Sequence, residues 1–326
     1  MAGASSALQS KREMGKATRD AFGRELEARG GDYPDLVVLD GDVSNSTRTE
    51  WFGKKYPERF FNIGIAESNL VGIAGGLASS GKTSLIASFA AFITCNAFDQ
   101  LRMAVAYPHL DVKVVGSHAG ISIGEDGPSQ MGIEDVALTC ALPGFVVLVP
   151  ADEASARAAT RAMLEYKGPV YLRVGRPEVP KVYPDGPAPF AIGKANRLRD
   201  GDDVTLIANG LMVASALDAA EALAERGIRA RVLDMHTVKP IDREALRAAA
   251  EETGALVVAE EHLAHGGLGS AVAMTVAELK PVPIRYINLG DRYAESGAPD
   301  ALLEKHGLTA AKVVEAAEAA IAAKPG

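Results

Sequence analysis

Short apolar runs alternate along the chain with longer segments in which apolar positions recur at helical spacing. Short apolar runs that end in small or polar residues are typical of buried strands, and the longer segments can serve as crossover helices of a parallel sheet. Strands are predicted over 36–39, 84–87, 112–116, 146–149, 170–174, 204–208, 230–234, 255–259 and 284–288. Helices are predicted over 17–28, 68–79, 152–166, 212–226, 243–253, 270–279 and 309–323, with Asp152 as the N-cap of the helix at 152–166. The pattern predicts an α/β protein.

The alternation is interrupted once, between residues 176 and 203, where five prolines and several glycines occur. Clusters of these residues break helices and strands, so the interruption indicates an interdomain linker. We assign a first domain to residues 1–180, a linker to 181–203 and a second domain to 204–326. Two open, mainly parallel α/β domains in series are therefore expected.

Bulk composition narrows the possible partners and locations. The 326 residues carry a net charge of −8 and no basic run, so nucleic acid and anionic membrane are unexpected partners. A length of this order suits two domains. The sequence shows neither a signal peptide nor an uninterrupted apolar span, which predicts a soluble cytoplasmic protein. Cys95 and Cys140 lie among apolar residues and are expected to be buried thiols rather than a disulfide or metal pair.

Polar residues concentrate in four loops that follow predicted strands of the first domain, at 40–46, 64–69, 116–128 and 173–176. In open parallel sheets, ligands bind beyond the carboxyl ends of the strands. Each residue also has a structural explanation when taken alone. Asp42 could cap a turn, and Glu67 could be a helix-start carboxylate favoured by the helix dipole.

The order of the motifs resembles the transketolase family. Gly64-Ile65-Ala66-Glu67, then Phe89 and Phe92, then His118-Ala119-Gly120 and Gly124-Glu125-Asp126-Gly127-Pro128 resemble the pyrimidine-binding domain of these enzymes. Val238-Lys239-Pro240-Ile241-Asp242 and the segment from Glu260-Glu261-His262 to Ser270 resemble their C-terminal domain. The resemblance covers nearly the whole chain. It implies a thiamine-diphosphate-dependent transferase that moves a two-carbon ketol unit from a ketose to an aldose.

The resemblance also implies roles for residues of the cofactor site. Glu67 is expected to be the catalytic carboxylate, which contacts the aminopyrimidine and must be sequestered among apolar groups to act strongly. Asp42 would lie near the thiazolium ring. The remaining cofactor contacts implied are Ile65, Phe89 and Phe92, although two aromatic residues three apart are equally common in a core.

A second group of residues is expected to bind the substrate. Ser46, His118 and Arg176 match positions that grip a sugar phosphate, a role that suits the bidentate fork of arginine. Asp126 matches a carboxylate that recognises a donor-sugar hydroxyl, and Arg12 is a further candidate phosphate ligand. Gln130 stands where transketolases usually have a histidine. Because glutamine cannot carry a proton at neutral pH, an ordinary pentose phosphate is in doubt as the substrate, and a specialised ketol transfer is an alternative.

The Gly-Asp-Gly motif and following Asn that hold the diphosphate and its metal in this family are missing. The resemblance therefore implies Mg²⁺ or Ca²⁺ ligands on a separate N-terminal subunit, with an α2β2 heterotetramer as the expected assembly and no metal ligand in this chain. The alternatives are the β subunit of a 2-oxoacid dehydrogenase, a fragment of a 1-deoxyxylulose-5-phosphate synthase, and a regulatory subunit of the same fold. The Gly124–Gly127 loop favours transketolase over the first two.

Overall fold

Two sheets organise the computed structural model, which describes residues 8–184 and 186–325. The strands are β1 (Leu36–Asp40), β2 (Phe60–Asn62), β3 (Thr83–Phe89), β4 (Val112–Ser117), β5 (Val146–Leu148), β6 (Val170–Arg173), β7 (Asn196–Arg199), β8 (Val204–Ala208), β9 (Ala230–Asp234), β10 (Thr237–Lys239), β11 (Leu256–Ala259) and β12 (Ile284–Ile287). The seven-stranded sheet has the order β10-β5-β6-β4-β3-β1-β2, and the five-stranded sheet has the order β12-β11-β8-β9-β7. The fold is two mainly parallel α/β units in series, as predicted.

Helices connect the strands and cover the sheets. They are α1 (Thr18–Arg29), α2 (Ser44–Thr47), α3 (Thr49–Lys55), α4 (Glu67–Ser79), α5 (Phe98–Gln100), α6 (Asp135–Ala141), α7 (Glu153–Glu165), α8 (Met212–Ala224), α9 (Arg243–Glu252), α10 (Leu268–Leu279), α11 (Pro299–Lys305) and α12 (Ala310–Ala322). Two π-helical segments, Phe92–Asn96 and Leu101–Ala106, flank α5. In the part of the chain that is described, no helix is long and apolar enough to span a bilayer.

The predicted strands and the seven predicted helices are confirmed within a few residues at their ends. The predicted N-cap of α7 is also confirmed, because Asp152 accepts a hydrogen bond from the Ser155 backbone at 2.9 Å in a capping box. The remaining elements were not predicted: they are short or, in α2 and α3, rich in polar residues.

Two strands pair with neighbours that the sequence did not predict. β10 follows β9 in the second half of the chain, yet it pairs antiparallel with β5 at the edge of the first sheet. β7 lies within the predicted linker and pairs antiparallel with β9 in the second sheet. The segment assigned to the linker therefore includes a sheet strand.

The cysteine prediction was wrong for one of the two residues. Cys95 is exposed and Cys140 is partly buried, and both are free thiols. Cys95 lies on the π-helical turn Phe92–Asn96, which buries Ile93 and Thr94 and turns the next side chain outward. Apolar neighbours in sequence therefore did not imply burial here.

Candidate active site

Four neighbouring strands of the first sheet, in the order β6-β4-β3-β1, run parallel and end at the same edge. The polar loops after β1, β4 and β6 therefore meet there, as the sequence predicted. The loop before α4 joins them because Ile63, which follows β2, donates its backbone N–H to the Asp40 carbonyl at the end of β1.

Glu67 begins α4 and is only 6% exposed. Its Oε1 accepts a hydrogen bond from the Ser88 hydroxyl on β3 at 3.0 Å. Gly41 lets Ser88 approach, since a Cβ at Gly41 would lie 3.2 Å from that hydroxyl oxygen. Within the described residues, Ser88 is the one side-chain partner of this carboxylate, so Oε2 remains available to a donor from a ligand.

Asp42 lies in the turn after β1 with φ of +67° and an exposed side chain. Its Oδ1 accepts a 2.6 Å hydrogen bond from the side-chain amide Nδ2 of Asn62, and the side-chain Oδ1 of Asn62 accepts one from the Gly64 backbone N–H at 2.9 Å. Asn62 therefore ties the Asp42 turn to the turn that precedes Glu67. Ile65 projects from this second turn and is 83% exposed, so its apolar side chain is free to contact a ligand or another chain.

Phe89 and Phe92 stack with 5.5 Å between ring centroids and 13° between ring planes. Phe89 ends β3 and Phe92 begins a π-helical turn, so strand end and turn present the two rings together. His118, at the end of β4, also stacks on Phe89. The pair is therefore part of a three-ring stack.

His118 is 3% exposed and adopts a left-handed backbone conformation, with φ of +57°. Its Nε2 lies 3.0 Å from Nη1 of Arg19, which must donate, and its Nδ1 lies 2.9 Å from the Ser117 hydroxyl. Burial first, and then the nearby arginines 19, 176 and 48, lower the pKa of His118 to about 3. The ring is therefore neutral at physiological pH and carries its proton on Nδ1.

Arg19 is a site residue that the sequence analysis missed. Its Nη1 also donates to the Ser46 carbonyl at 3.1 Å, and its Nε is buried without a hydrogen-bond partner. Burial, reinforced by the charge of Arg48, lowers the pKa of Arg19, although a guanidinium remains charged at any ordinary pH. No short-range sequence pattern marks Arg19, because it reaches His118 only through the packing of the start of α1 against the end of β6. Arg12, the further candidate, pairs with Asp218 and Glu221 on α8.

Arg176 and Asp126, which had separate predicted roles, contact each other. Nη1 of Arg176 lies 3.4 Å from Asp126 Oδ2 and donates to the Ile123 carbonyl at 2.9 Å. Both side chains are more than a third exposed, so a ligand can reach them. Gln130 is partly buried and follows the same loop, where its backbone N–H donates to the Gly127 carbonyl at 3.1 Å.

The structure therefore brings the predicted residues to one edge of the sheet in two groups. Glu67, Asp42 and the phenylalanine pair form one group. Ser46, His118, Arg176, Asp126 and the added Arg19 form a second group, which contains two arginines and one carboxylate. Among the residues described, no three His, Cys, Asp or Glu side chains are grouped so as to hold a metal ion.

Family models match nearly the whole chain in two parts. Residues 14–181 match the pyrimidine-binding domain of transketolase, and residues 193–313 match the transketolase C-terminal domain. The boundary between the two matches falls within the segment that contains the prolines.

Individual proteins match over similar lengths. A putative transketolase C-terminal section from Methanocaldococcus jannaschii is 44% identical, over 90% of this chain and 92% of that protein. A 6-deoxy-6-sulfo-D-fructose transketolase subunit from Clostridium sp. (strain MSTE9) is also 44% identical, over 86% of this chain and 87% of that subunit. A solved structure described as a split-gene transketolase, inactive beta4 tetramer, superposes with a TM-score of 0.87 at 47% identity and covers 95% of this chain and 100% of that one.

Proposed function

This chain belongs to the transketolase family, and from that premise we propose that it is the C-terminal-type subunit of a two-chain, thiamine-diphosphate-dependent transketolase. The reaction is the transfer of a two-carbon ketol unit from an anionic ketose to an aldose. The observation that carries the proposal is the environment of Glu67, a buried carboxylate with one oxygen held by Ser88 and the other free.

The residues of the first group suit thiamine diphosphate. The free oxygen of Glu67 can hold N1′ of an aminopyrimidine, and the stacked Phe89 and Phe92 offer aromatic faces to the ring. When bound, the cofactor supplies a nucleophilic carbon that the side chains of this protein lack. Burial of Glu67 strengthens its contact with the ring nitrogen, because the local dielectric constant is low. Asp42 and Ile65 are further proposed contacts of the cofactor.

The residues of the second group suit the anionic end of a sugar. Arg19 has an Nε without a hydrogen-bond partner, 4.0 Å from the Asp20 carboxylate, and Arg176 is exposed enough to exchange Asp126 for a ligand oxyanion. His118 is neutral and accepts a hydrogen bond from Arg19, so its first role is to orient that guanidinium. Phosphate and sulfonate both present a tetrahedral group of oxygen acceptors, and either matches two arginines. A phosphorylated ketose is our first candidate, with Ser46 as an additional contact.

Asp126 and Gln130 would recognise the hydroxyl groups of the donor. Asp126 can accept hydrogen bonds from a sugar, whereas Gln130 can both donate and accept but cannot transfer a proton at neutral pH. Proton movements in the transfer then fall to groups other than residue 130. This difference from the usual histidine favours a specialised donor.

We propose a separate N-terminal subunit as the partner, with the diphosphate and metal ligands on that subunit. Among the described residues of this chain no three His, Cys, Asp or Glu side chains are grouped to hold a metal ion, and in this proposal the cofactor is held between two chains. Two copies of each subunit in an α2β2 assembly would place each cofactor at such an interface.

Reconstitution tests the proposal. The chain is co-expressed with a separately encoded subunit that carries the Gly-Asp-Gly and Asn motif, and ketol transfer is measured with phosphorylated, sulfonated and unmodified ketoses. We expect transfer from an anionic ketose by the complex and none by either chain alone. Decarboxylation of a 2-oxoacid without ketol transfer would instead identify a dehydrogenase-type subunit, and inactivity on all substrates would favour a regulatory one.

A further inference from the structure

The second domain places a buried carboxylate directly behind the loop that carries His118 and Asp126. Glu261 follows β11 and is 5% exposed. Its Oε1 accepts a hydrogen bond from the Ser122 backbone N–H at 2.6 Å. A Cβ added to Gly120 would lie 2.1 Å from the carboxyl carbon of Glu261, so the carboxylate rests on the bare backbone of that glycine.

The second domain holds the same loop at further points. The Leu263 backbone N–H donates to the Ile133 carbonyl at 3.0 Å, beyond the far end of the loop. Gly124 lies against Pro299, since a Cβ there would be 2.9 Å from its ring. Ile121 and Ile123 pack in the same hydrophobic cluster as residues of β8, α8 and α12. The path of the loop is therefore set largely by the second domain.

Arg173, at the end of β6, connects Glu261 to the first sheet. Its Nη2 donates to the carbonyl oxygens of Glu261 and Gly132, both at 2.9 Å, and its Nε donates to Asp135 Oδ2 at 2.9 Å. Gly132 in turn accepts the Gly120 N–H at 2.7 Å. The backbone of Glu261 and the two ends of the loop are thus fixed by one buried guanidinium.

A cavity of about 30 Å³ is lined by Glu261 together with residues of the first domain. Its lining includes Thr18, Ala119 and Gly175, which are the sequence neighbours of Arg19, His118 and Arg176. The Ser122 hydroxyl, also in the lining, is buried beside the Glu261 carboxylate. The volume exceeds the ~10–15 Å³ that one water needs, and the lining is polar enough to bind it.

We propose that Glu261 is a positioning residue of the substrate site: its carboxylate fixes the Gly120–Ser122 backbone and thereby holds His118 and Asp126 in place relative to Arg19 and Arg176. The substrate part of this inference rests on the proposed function, whereas the ordering of the loop does not. Through this role of Glu261, the second domain takes a direct part in substrate binding.

Substitutions of Glu261 distinguish an effect on the position of the loop from an effect on the stability of the whole chain. Glu261→Ala removes the acceptor, and Glu261→Leu removes it while filling a similar volume. Glu261→Gln keeps an acceptor oxygen, and burial raises the pKa of Glu261 to about 7, so a neutral side chain resembles one of its two native forms. Glu251→Ala is the control, because it removes an exposed carboxylate from α9 of the same domain.

Two measurements read out the effect: amide hydrogen exchange over residues 118–127 in the full chain, and kinetics of the reconstituted complex. Loss of one buried charge-assisted hydrogen bond should speed exchange of this loop and raise the KM of the anionic ketose by about tenfold or more in the Ala and Leu variants. We expect kcat, cofactor affinity and exchange elsewhere in the chain to stay within about twofold. The Gln and Glu251→Ala variants should behave as wild type.

Three results would overturn the inference. One is unchanged loop exchange in both the Ala and Leu variants. Another is faster exchange throughout the second domain with no change confined to the loop, which a purely structural carboxylate would give. The third is a Gln variant as impaired as Ala. If the wild-type complex shows no ketol transfer, the proposed function fails, but the loop exchange still decides whether Glu261 positions the loop.

Discussion

The imidazole of His118 lies face to face with the ring of Phe89, with 4.0 Å between centroids and 16° between planes. The two residues end adjacent strands, β4 and β3. Through this contact the residues proposed for the sugar anion touch those proposed for the cofactor. A shift of His118 on substrate binding would reach the aromatic pair without an intervening residue.

Glu67→Gln should abolish most of the activity while leaving the fold intact, because glutamine has nearly the same volume and can still accept the Ser88 hydrogen bond. General acid–base contributions are typically about 10²–10⁴-fold, and we expect a loss of kcat in that range. Hydrogen–deuterium exchange at cofactor C2 in the two-chain complex, measured beside kcat, checks the effect. Ser88→Ala, which removes only the hydroxyl, should cost far less. Exchange and turnover within a few-fold of wild type in Glu67→Gln would reduce Glu67 to a helix-start carboxylate.

Arg19→Ala and Arg176→Ala should each raise the KM of an anionic ketose with smaller effects on kcat. A charge-assisted hydrogen bond contributes roughly 1.5–3 kcal/mol, so increases of about ten- to a hundredfold are expected. We expect the larger effect at Arg19, because Arg176 must first give up its contact with Asp126. Arg29→Ala, at the exposed end of the same helix α1, is the matched control. Equal KM values for an anionic ketose and its uncharged counterpart would contradict the anion-binding role.

His118 should not titrate between pH 5 and 8. Its folded-state pKa of about 3 lies below the ordinary value near 6.5, so the unfolded chain binds this proton first as the pH falls. The contribution of His118 to stability is therefore complete above pH 6.5 and is lost progressively toward pH 3. Histidine-selective ¹³C labelling, with His118→Gln to assign the signal, should give a shift that stays constant over pH 5–8. A sigmoidal shift near pH 6.5 would show that the ring is protonated in the folded chain.

Asp234→Asn should flatten part of the pH dependence of stability. Asp234 is fully buried, accepts a 2.7 Å hydrogen bond from the Tyr183 hydroxyl, and has an Oδ1 without a partner. Burial, and to a lesser extent Asp152, raises its pKa to about 7. Between pH 4 and pH 7 the Asp234 carboxyl is ionised in the unfolded chain but still protonated in the folded chain. The contribution of Asp234 to stability is therefore complete below pH 4 and is lost progressively as the pH rises to 7.

The shift from an ordinary value near 4 corresponds to a loss on the order of 4 kcal/mol, which Asn would not suffer because it never ionises. Urea unfolding at pH 4 to 8 measures the difference in free energy of unfolding between the variant and wild type. That difference should grow in favour of Asn as the pH rises. Asp200→Asn, at an exposed position in the second half of the chain, should follow wild type. Parallel curves for Asp234→Asn and wild type would show that Asp234 has an ordinary pKa.

The sequence predicted elements whose signal is local. Strands such as β1 and β8 are short, mostly apolar runs buried along their whole length, and the Asp152 cap lies within one turn of the residues it bonds. The motif Gly64-Ile65-Ala66-Glu67 likewise places Glu67 at the start of α4, where its side chain is buried. Each depends on neighbours close along the chain.

Arg19, Asn62 and Glu261 could not be predicted in the same way. Arg19 reaches His118 because the start of α1 lies beside the end of β6, where its N–H is 3.4 Å from the Gly175 carbonyl. The bond between Glu261 and Ser122 joins residues 139 positions apart. The contacts of Arg19 and Asn62 depend on how helices, strands and loops pack within the first unit, and the contact of Glu261 depends on how the two sheets are placed relative to each other. No short-range pattern encodes either arrangement.

The antiparallel pairing of β10 with β5 has a consequence for dividing the chain. A truncated chain that stops in the proline-containing segment would lack β10 and leave β5 as a bare edge strand with unpaired backbone groups. An exposed apolar strand edge is a template for intermolecular pairing, so such a fragment would tend to aggregate rather than fold as an independent domain. Engineered splits of this protein should therefore not place β5 and β10 on different polypeptides.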